Sequence, residues 1–345
     1  MALLWFCLGA LMIAGYVILD GFDLGAGIVQ LLVAKTDRER AQVLRSIGPV
    51  WDGNEVWLVA GGGALFLAFP ALYASSFSGF YLALMMVLWL LILRGVAIEL
   101  RNHIDNPLWE SAWDTVFGGA SAVLAFVFGV ALGNVVRGVP LDATGYFFLP
   151  LWTNLAPGAN AGVIDWYTLL VGAAAFLALG VHGSLWVIMK TGGRLQTSTR
   201  ALCAKFWWAL LAITLVISPL SFVIQPHLMR QFTSHPSGAI FPLLVLAGLV
   251  GVRVLSCQRQ DLGAFVASSL YLAGMLASVA FGIFPNVLPS NATPEFSLTI
   301  YNAAASEHSL VIGLWWFIPG MALASAYAVF SYWHFAGKVG EEGPD

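Results

Sequence analysis

The sequence has very little charge, since Asp, Glu, Lys and Arg make up only 10% of its 345 residues while 59% are hydrophobic. Ordinary soluble domains carry about 25% charged residues, and so little charge cannot cover a water-facing surface. Apolar runs of about 18 residues recur along the chain. They do not alternate with period 2 as β-barrel strands do, and in lipid such runs must be helices because every backbone polar group needs an internal partner.

Cysteine and basic tracts are also scarce. Cys7, Cys203 and Cys257 stand far apart without metal-site spacing, which predicts buried small side chains and neither a metal centre nor a disulfide framework. The net charge of −3 is spread thinly, so nucleic acid is not expected as a partner. No CxxCH, HExxH, Walker or GxGxxG element occurs in a suitable context.

The apolar windows predict an all-α integral membrane protein, a bundle of about nine transmembrane helices forming one domain over residues 1–345. Residues 1–18 lack the basic start and cleavage site of a signal peptide, so we expect them to stay as part of the first helix. The predicted helices are 2–27, 52–73, 77–98, 115–135, 164–189, 202–224, 239–256, 263–284 and 307–334. The loops between them are too short to form a separate domain.

Basic residues predict the orientation. Of the 15 Lys and Arg residues, all except Arg137 and Arg230 fall at helix ends and loops on one side of the nine-helix arrangement. Basic residues near helix ends are retained on the cytoplasmic side. The N-terminus is therefore predicted outside and the C-terminus in the cytoplasm.

Acidic residues cluster near the predicted inner ends of the first two helices. Asp20 and Asp23 are three residues apart, as are Asp52 and Glu55, and Asn54 lies beside the second pair. Ionisable groups at membrane depth are costly and usually functional, so a shared pocket of carboxylates and a proton path are the leading hypothesis. Headgroup solvation of Asp20 and helix capping by Asp52 and Asn54 are the structural alternatives.

For other polar residues in the predicted helices, structural roles such as ion pairing, anchoring and packing are considered. Arg94 lies among apolar residues, where it could pair with those acids, whereas Arg101 is expected to be an anchor at the cytoplasmic boundary. His182 is the one deeply intramembrane histidine, and packing or hydrogen bonding is favoured over metal ligation. Gly21, Gly25 and Gly27 predict close helix packing.

A secondary transporter is an alternative function, because its ion site would also need intramembrane carboxylates beside glycine-rich helices. Such a site should lie near the membrane midplane. The acids here are predicted at the cytoplasmic ends of their helices, which favours a different function.

Four segments carry a resemblance to a known family. GYVILDGFDLGAG, GPVWDGNEVWLVAGGGALFLAFPALYA, SSFSGFYLALM and LRGVAIELR resemble subunit II of the cytochrome bd-type quinol oxidases, including their cyanide-insensitive relatives. The resemblance is residue by residue in the first three helices. The later six agree in number, orientation and general character.

The resemblance implies a terminal oxidase of the bacterial cytoplasmic (inner) membrane that oxidises quinol, ubiquinol or menaquinol, at the outer side. It reduces oxygen to water with cytoplasmic protons and separates charge without pumping. The haems, two of b type and one of d type or a further haem b, belong to subunit I. This chain would ligate none and would have no activity alone. Small single-helix accessory subunits and a structural quinone in subunit II also occur in the family.

The resemblance also assigns residues. Asp52 matches the subunit II carboxylate on the cytoplasmic proton path, and Asp23 and Arg94 match its polar neighbours, with Asp20 and Glu55 as further candidates. Glu55 stands where relatives often carry glutamine. Three other residues have less direct candidate roles, Asn54 and Glu99 at the polar interface and Trp57 along an apolar oxygen route. The alternative within this family is a purely structural assembly subunit.

Overall fold

The computed structural model describes residues 1–158 and 160–339, and within them the chain is almost entirely helical. Two very short strands pair as an antiparallel hairpin between the last two long helices. The elements are α1 (Ala2–Val33), α2 (Asp37–Ile47), α3 (Trp51–Ala68), α4 (Pro70–Gly79), α5 (Tyr81–Leu100), α6 (Pro107–Arg137), α7 (Trp166–Lys190), α8 (Gly193–Ile224), α9 (Pro226–Ser234), α10 (Ile240–Cys257), α11 (Asp261–Ile283), β1 (Asn286–Leu288), β2 (Leu298–Thr299) and α12 (Glu307–His334).

Eight of the described helices are long and apolar enough to cross a membrane. The pair α3 and α4 adds a ninth crossing when it is counted as one broken span, because its two helices are bent by 119°. The prediction of an all-α protein with about nine membrane helices is confirmed.

The second crossing differs from the continuous helix predicted over residues 52–73. The helix breaks at Phe69, whose backbone angles (φ −133°, ψ 64°) are not helical. Pro70 follows, and a proline disfavours the helical conformation of the residue before it. Because its missing N–H is tolerated in a first turn, Pro70 then begins α4, and the third predicted helix correspondingly begins at Tyr81.

Several helices run past their apolar windows. The first continues to Val33 instead of ending at residue 27, and the fourth and sixth crossings begin at Pro107 and Gly193 instead of 115 and 202. Hydropathy finds only the lipid-like part of a helix. Backbone hydrogen bonds continue into polar flanks, as at Asn106, whose side chain accepts from the N–H of Leu108 and caps α6.

One helix, α2, lies in a segment that the sequence interpretation treated as a basic loop. Thr36 and Glu39 form a capping box at its start, the pattern S/T-x-x-E that marks helix N-termini. Val43, Leu44 and Ile47 form its buried face. They pack in the same apolar cluster as Val29 and Val33, among other residues of α1. Helix α2 therefore covers the last turns of α1.

Helices α1 and α7 form the centre of the bundle. The most apolar window of α7 is 78% buried, whereas those of α5 and α12 are only 11% buried. A Cβ atom on Gly25 would lie 2.1 Å from the carbonyl oxygen of Leu179 and 2.7 Å from the Cα of Gly183. The predicted close approach at Gly25 is confirmed, because no other residue leaves this space.

A buried ion pair joins the end of α6 to the start of α7, at the two ends of the segment between these helices. Arg137 forms a buried ion pair with Asp165, and its guanidinium also donates to Asn134 Oδ1 at 2.7 Å. The same aspartate accepts from the backbone N–H groups of Tyr167 and Thr168 and caps α7. The region between Pro226 and Ser234, predicted to be a loop, is the helix α9.

Two of the three cysteines are exposed at the surface of the chain. Cys203 is buried as predicted, but Cys7 and Cys257 are exposed, so the prediction of burial is wrong for those two. In a membrane helix an exposed apolar-like side chain can face lipid instead of the protein core.

Candidate functional site

Two of the predicted acids are completely buried inside the bundle. Asp20 and Asp23 have no exposed surface, although α1 continues for a further ten residues to Val33. At 1.5 Å per residue, Asp23 lies about 15 Å along the axis from the end of α1. Helix α3 begins at Trp51 beside this part of α1, and α2 covers the remaining turns. The acids therefore lie where α3 joins the bundle.

Asp20 pairs with Arg94 of α5. Nη1 of Arg94 donates to Oδ2 of Asp20 at 2.8 Å, and Nη2 donates to Oδ1, so the contact is bidentate. Both side chains are 0% exposed. The expected pairing of Arg94 with the acids is present, and its forked geometry is the strongest form of the interaction.

Glu55 of α3 completes this part of the site. Its Oε2 lies 3.6 Å from Nη2 of Arg94, and its side chain is 24% exposed. It lies at the edge of the cluster, between buried Arg94 and the surface. One guanidinium is thus shared by two carboxylates.

Asp23 has different partners. Nδ2 of Asn54 donates to Oδ2 of Asp23 at 2.7 Å, and the hydroxyl of Tyr332 donates to Oδ1 of Asn54 at 2.6 Å. This chain of hydrogen bonds joins α1, α3 and α12. Oδ1 of Asp23 and Nε of Arg94 are buried without a hydrogen-bond partner among the described residues. Both atoms retain hydrogen-bonding capacity, which buried polar groups rarely leave unused.

The remaining candidates lie outside the buried cluster. Asp52 is exposed on α3, on the same helix face as exposed Val56. Glu99 is exposed near the end of α5. Trp57 is half-buried and packs on Gly15 of α1, where a Cβ would approach its ring to 3.2 Å. The structure therefore brings three of the four predicted acids together and leaves Asp52 on a neighbouring surface.

A second polar network was missed by sequence reasoning. Arg101 Nε donates to Asp114 Oδ1 at 2.7 Å, Gln30 Nε2 donates to the same oxygen at 2.9 Å, and Arg101 also pairs with Asp37. Arg101 follows the last residue of α5 and is only 3% exposed, so its charge is held in this network of acids. The available signal was Asp114 itself, a carboxylate in an otherwise apolar stretch of α6.

His182 uses both ring nitrogens within the chain. Nε2 lies 2.9 Å from the carbonyl oxygen of Ile18, and Nδ1 lies 2.7 Å from the hydroxyl of Ser268. Its ring stacks on Phe265 with centroids 4.5 Å apart. Hydrogen bonding and packing, the favoured interpretation, are both present. Neither nitrogen of His182 is available to ligate a haem in this arrangement.

Across residues 1–158 and 160–339, no group of three or more His, Cys, Asp and Glu side chains is placed to hold a metal ion. The polar chemistry of the described chain consists of carboxylates, guanidinium groups and amides held by helices. Carboxylates of this kind can accept and release protons.

Comparison with known proteins identifies the family. The family model described as cytochrome bd terminal oxidase subunit II matches residues 1–335. The probable cytochrome oxidase subunit 2 of Haemophilus influenzae is 33% identical, over 97% of this chain and 94% of that protein. Cytochrome bd-I ubiquinol oxidase subunit 2 of Escherichia coli K12 is 30% identical, over 98% and 95%.

The fold agrees as well. The structure of bd oxidase from Geobacillus thermodenitrificans superimposes with a TM-score of 0.74 at 16% identity, covering 97% of this chain and 98% of that chain. Family and apolar helices together make this a multi-pass protein of the bacterial inner membrane. The resemblance seen in the first three helices extends over the whole chain, which belongs to the cytochrome bd terminal oxidase subunit II family.

Proposed function

We propose that this chain serves a respiratory quinol:oxygen oxidoreductase complex in two ways, by supporting the haem-bearing subunit I and by supplying a carboxylate relay for protons. The observation that carries the relay is the acid cluster in which the buried guanidinium of Arg94 contacts Asp20 and partly exposed Glu55, while buried Asp23 lies one turn from Asp20 on α1. One positive charge does not balance three carboxylates in a desolvated site. We therefore expect the cluster to hold at least one proton.

The two buried aspartates have different roles in this proposal. Both oxygens of Asp20 are engaged by Arg94, so Asp20 is the fixed counterion that keeps the guanidinium buried. Asp23 accepts one hydrogen bond from Asn54, while its other oxygen has no partner among the described residues. An oxygen with free capacity can accept a proton or a water-borne hydrogen bond, so Asp23 is the proton-exchanging group.

Asp52 and Glu55 provide the connection to the surface. They are three residues apart on α3 and project from similar sides of the helix. Asp52 is exposed, Glu55 is partly exposed and Arg94 is buried, so exposure decreases along this series. We propose that protons pass between Asp52 and the cluster through Glu55. Asn54 and Tyr332 hold Asp23 in position, and Glu99 is a polar contact of the subunit interface.

Orientation and partners follow from the same proposal. The basic loops support an N-terminus outside and a C-terminus in the cytoplasm, and in this proposal the relay draws on cytoplasmic protons. The family implies a haem-containing complex with subunit I. The resemblance extends this to two haems b with haem d or a further haem b in subunit I, small accessory subunits and a structural quinone. Trp57 is assigned to an oxygen route on the same basis.

The test separates a relay from a purely structural subunit. Asp23→Asn and Asp52→Asn variants of the whole complex are purified and checked for full haem content by optical spectra. We expect slower oxygen consumption and slower proton uptake, because an amide cannot carry the proton that a carboxylate does. Unchanged turnover and proton uptake in both variants with full haem content would remove the relay and leave the structural role. The comparisons do not favour a transporter.

A further inference from the structure

A second region of the chain, on helices other than those that carry the acid cluster, has the features of a binding site. A cavity of about 200 Å³ opens between α8 and α10 at their basic ends. Arg200, Arg253 and Arg259 line it, together with Ser256 and Trp207, and no acidic side chain does so. Such a lining attracts an anion.

Among the residues that the structure describes, Arg200 alone of the three arginines has a carboxylate partner. Arg200 makes a bidentate contact with Asp261, at 2.8 Å and 2.7 Å. Among the described residues no carboxylate forms an ion pair with Arg253 or Arg259. The guanidinium of Arg253 instead lies over the rings of Trp207 and Trp208, 5.8 Å and 5.9 Å from their centroids. Stacking fixes its position while its N–H groups remain available.

Arg259 occupies a backbone position that favours glycine. Its φ is +61°. Among the described residues, no other residue except glycine has a positive φ. The N–H of Arg259 bonds to the carbonyl of Ser256 at 3.2 Å, and that of Gln260 bonds to Leu255 at 3.0 Å. This is a Schellman motif, whose left-handed residue is usually glycine. An arginine at this position costs local stability relative to glycine.

A buried hydroxyl provides an independent indication of a ligand. Oγ of Ser256 is buried and has no hydrogen-bond partner among the described residues, although it belongs to a residue lining the cavity. Ser256 precedes Arg259 by three residues and follows Arg253 by three. Hydroxyl and guanidinium donors together suit the oxygens of a phosphate group.

The surface beside the cavity indicates the source of that phosphate. Leu246, Val250 and Val254 are four residues apart on α10, and they are 50%, 58% and 45% exposed. They form an apolar stripe on α10 that lies beside Arg253. A soluble phosphate would have no use for this stripe, whereas acyl chains would lie along it.

We propose that the cavity between α8 and α10 binds the phosphate of an anionic phospholipid. Arg253 and Arg259 contact the phosphate oxygens, Ser256 donates its hydroxyl hydrogen, and an acyl chain packs on the stripe of Leu246, Val250 and Val254. The site is distinct from the proton cluster on α1, α3 and α5.

The test uses the detergent-purified whole complex after delipidation. Phosphatidylglycerol is titrated in, and bound lipid is counted by native mass spectrometry. Arg259→Gly is the main variant, because glycine relieves the positive φ and removes only the side chain. Arg253→Gln is the second. Lys205→Gln is the matched control, since Lys205 is an exposed cation on α8 that does not line the cavity.

We expect each arginine variant to lose one phosphatidylglycerol at low lipid concentration, with about tenfold weaker binding, as for the loss of a charge-assisted hydrogen bond. Lys205→Gln should bind as the unmodified complex does. Phosphatidylcholine, which carries no net charge, should not bind at this site when it is titrated into the delipidated complex in place of phosphatidylglycerol. Equal lipid counts in both arginine variants and the control would overturn the proposal. Competition by sn-glycerol 3-phosphate as effective as by the lipid would also overturn it, since the ligand would then be a soluble phosphate.

Discussion

Asp20 and Arg94 form a bidentate ion pair between α1 and α5, and neither side chain has any exposed surface. The two residues are 74 positions apart in sequence, so the pair connects helices that are not neighbours along the chain. Removing two charges from water is costly, and the cost is offset only while both partners are present. The pair therefore makes assembly of this end of the bundle depend on both residues.

Replacing one partner should destabilise the complex. Arg94→Gln leaves the Asp20 carboxylate buried without its counterion, and we expect a loss of about 3–5 kcal/mol. The measurements are the midpoint of thermal unfolding of the purified complex and the yield of complex obtained from membranes. Arg230→Gln, which removes an exposed cation on α9, is the control and should change neither.

The double variant Asp20→Asn with Arg94→Gln should recover much of that stability, because no buried charge is left unpaired. If the double variant were as unstable as the sum of the two single variants, the two side chains would not act as a pair.

The crossing of α1 and α7 should not tolerate a methyl group. In Gly25→Ala the new Cβ would lie 2.1 Å from the carbonyl oxygen of Leu179, so the helices must separate. We expect destabilisation by about 1–3 kcal/mol, measured as a lower midpoint of thermal unfolding. Gly119→Ala on α6 is the matched control, since a Cβ there meets nothing within 4 Å. Equal effects of the two changes would contradict the close packing.

The hydroxyl of Tyr332 should matter for proton transfer more than for folding. Tyr332→Phe removes its hydrogen bond to Asn54, the residue that donates to Asp23. A single hydrogen bond contributes about 0.5–1.5 kcal/mol, so the complex should assemble. We expect the pH profile of oxygen consumption to shift, because Asn54 is then free to reorient. Tyr327→Phe, an exposed residue on the same helix, is the control. An unshifted profile would separate Tyr332 from the relay.

Glu39 should make the attachment of α2 depend on pH. Its burial opposes ionisation, but hydrogen bonds from the backbone of Lys35, from Arg194 and from the backbone of Thr36 lower the pKa of its carboxyl below the ordinary 4.5. A lowered pKa in the folded state stabilises the fold above the ordinary value, and this contribution is lost as pH falls through the folded pKa.

The measurement is thermal unfolding of the complex between neutral pH and about pH 3, below the ordinary pKa of glutamate. The complex should be more stable than its Glu39→Gln variant at neutral pH, and the difference should shrink below pH 4.5. A difference that stays constant over this range would show that ionised Glu39 does not hold α2.

The number of membrane helices and the candidate acids were accessible from the sequence. Each depends on local composition, and an apolar window or a carboxylate within it can be recognised without knowing its neighbours. Two local signals in the sequence also mark helix ends. Phe69 precedes Pro70 at the bend, and Glu39 follows Thr36 by three residues in the capping box of α2. Average hydropathy over a window does not detect either signal.

Partners were decided by the tertiary structure. Asp20 and Asp23 look equivalent in sequence, yet one contacts Arg94 and the other contacts Asn54, because helix rotation and crossing set which side chains meet. Asn54 and Tyr332 are 278 positions apart.

The exposure of Asp52, the burial of Arg101 and the cavity beside Arg253 have the same origin. Composition determined that this chain lies in a membrane. Long-range packing determined which of its few charges are paired and which remain exposed, because in a buried site the free energy of a charge depends on its nearest partners.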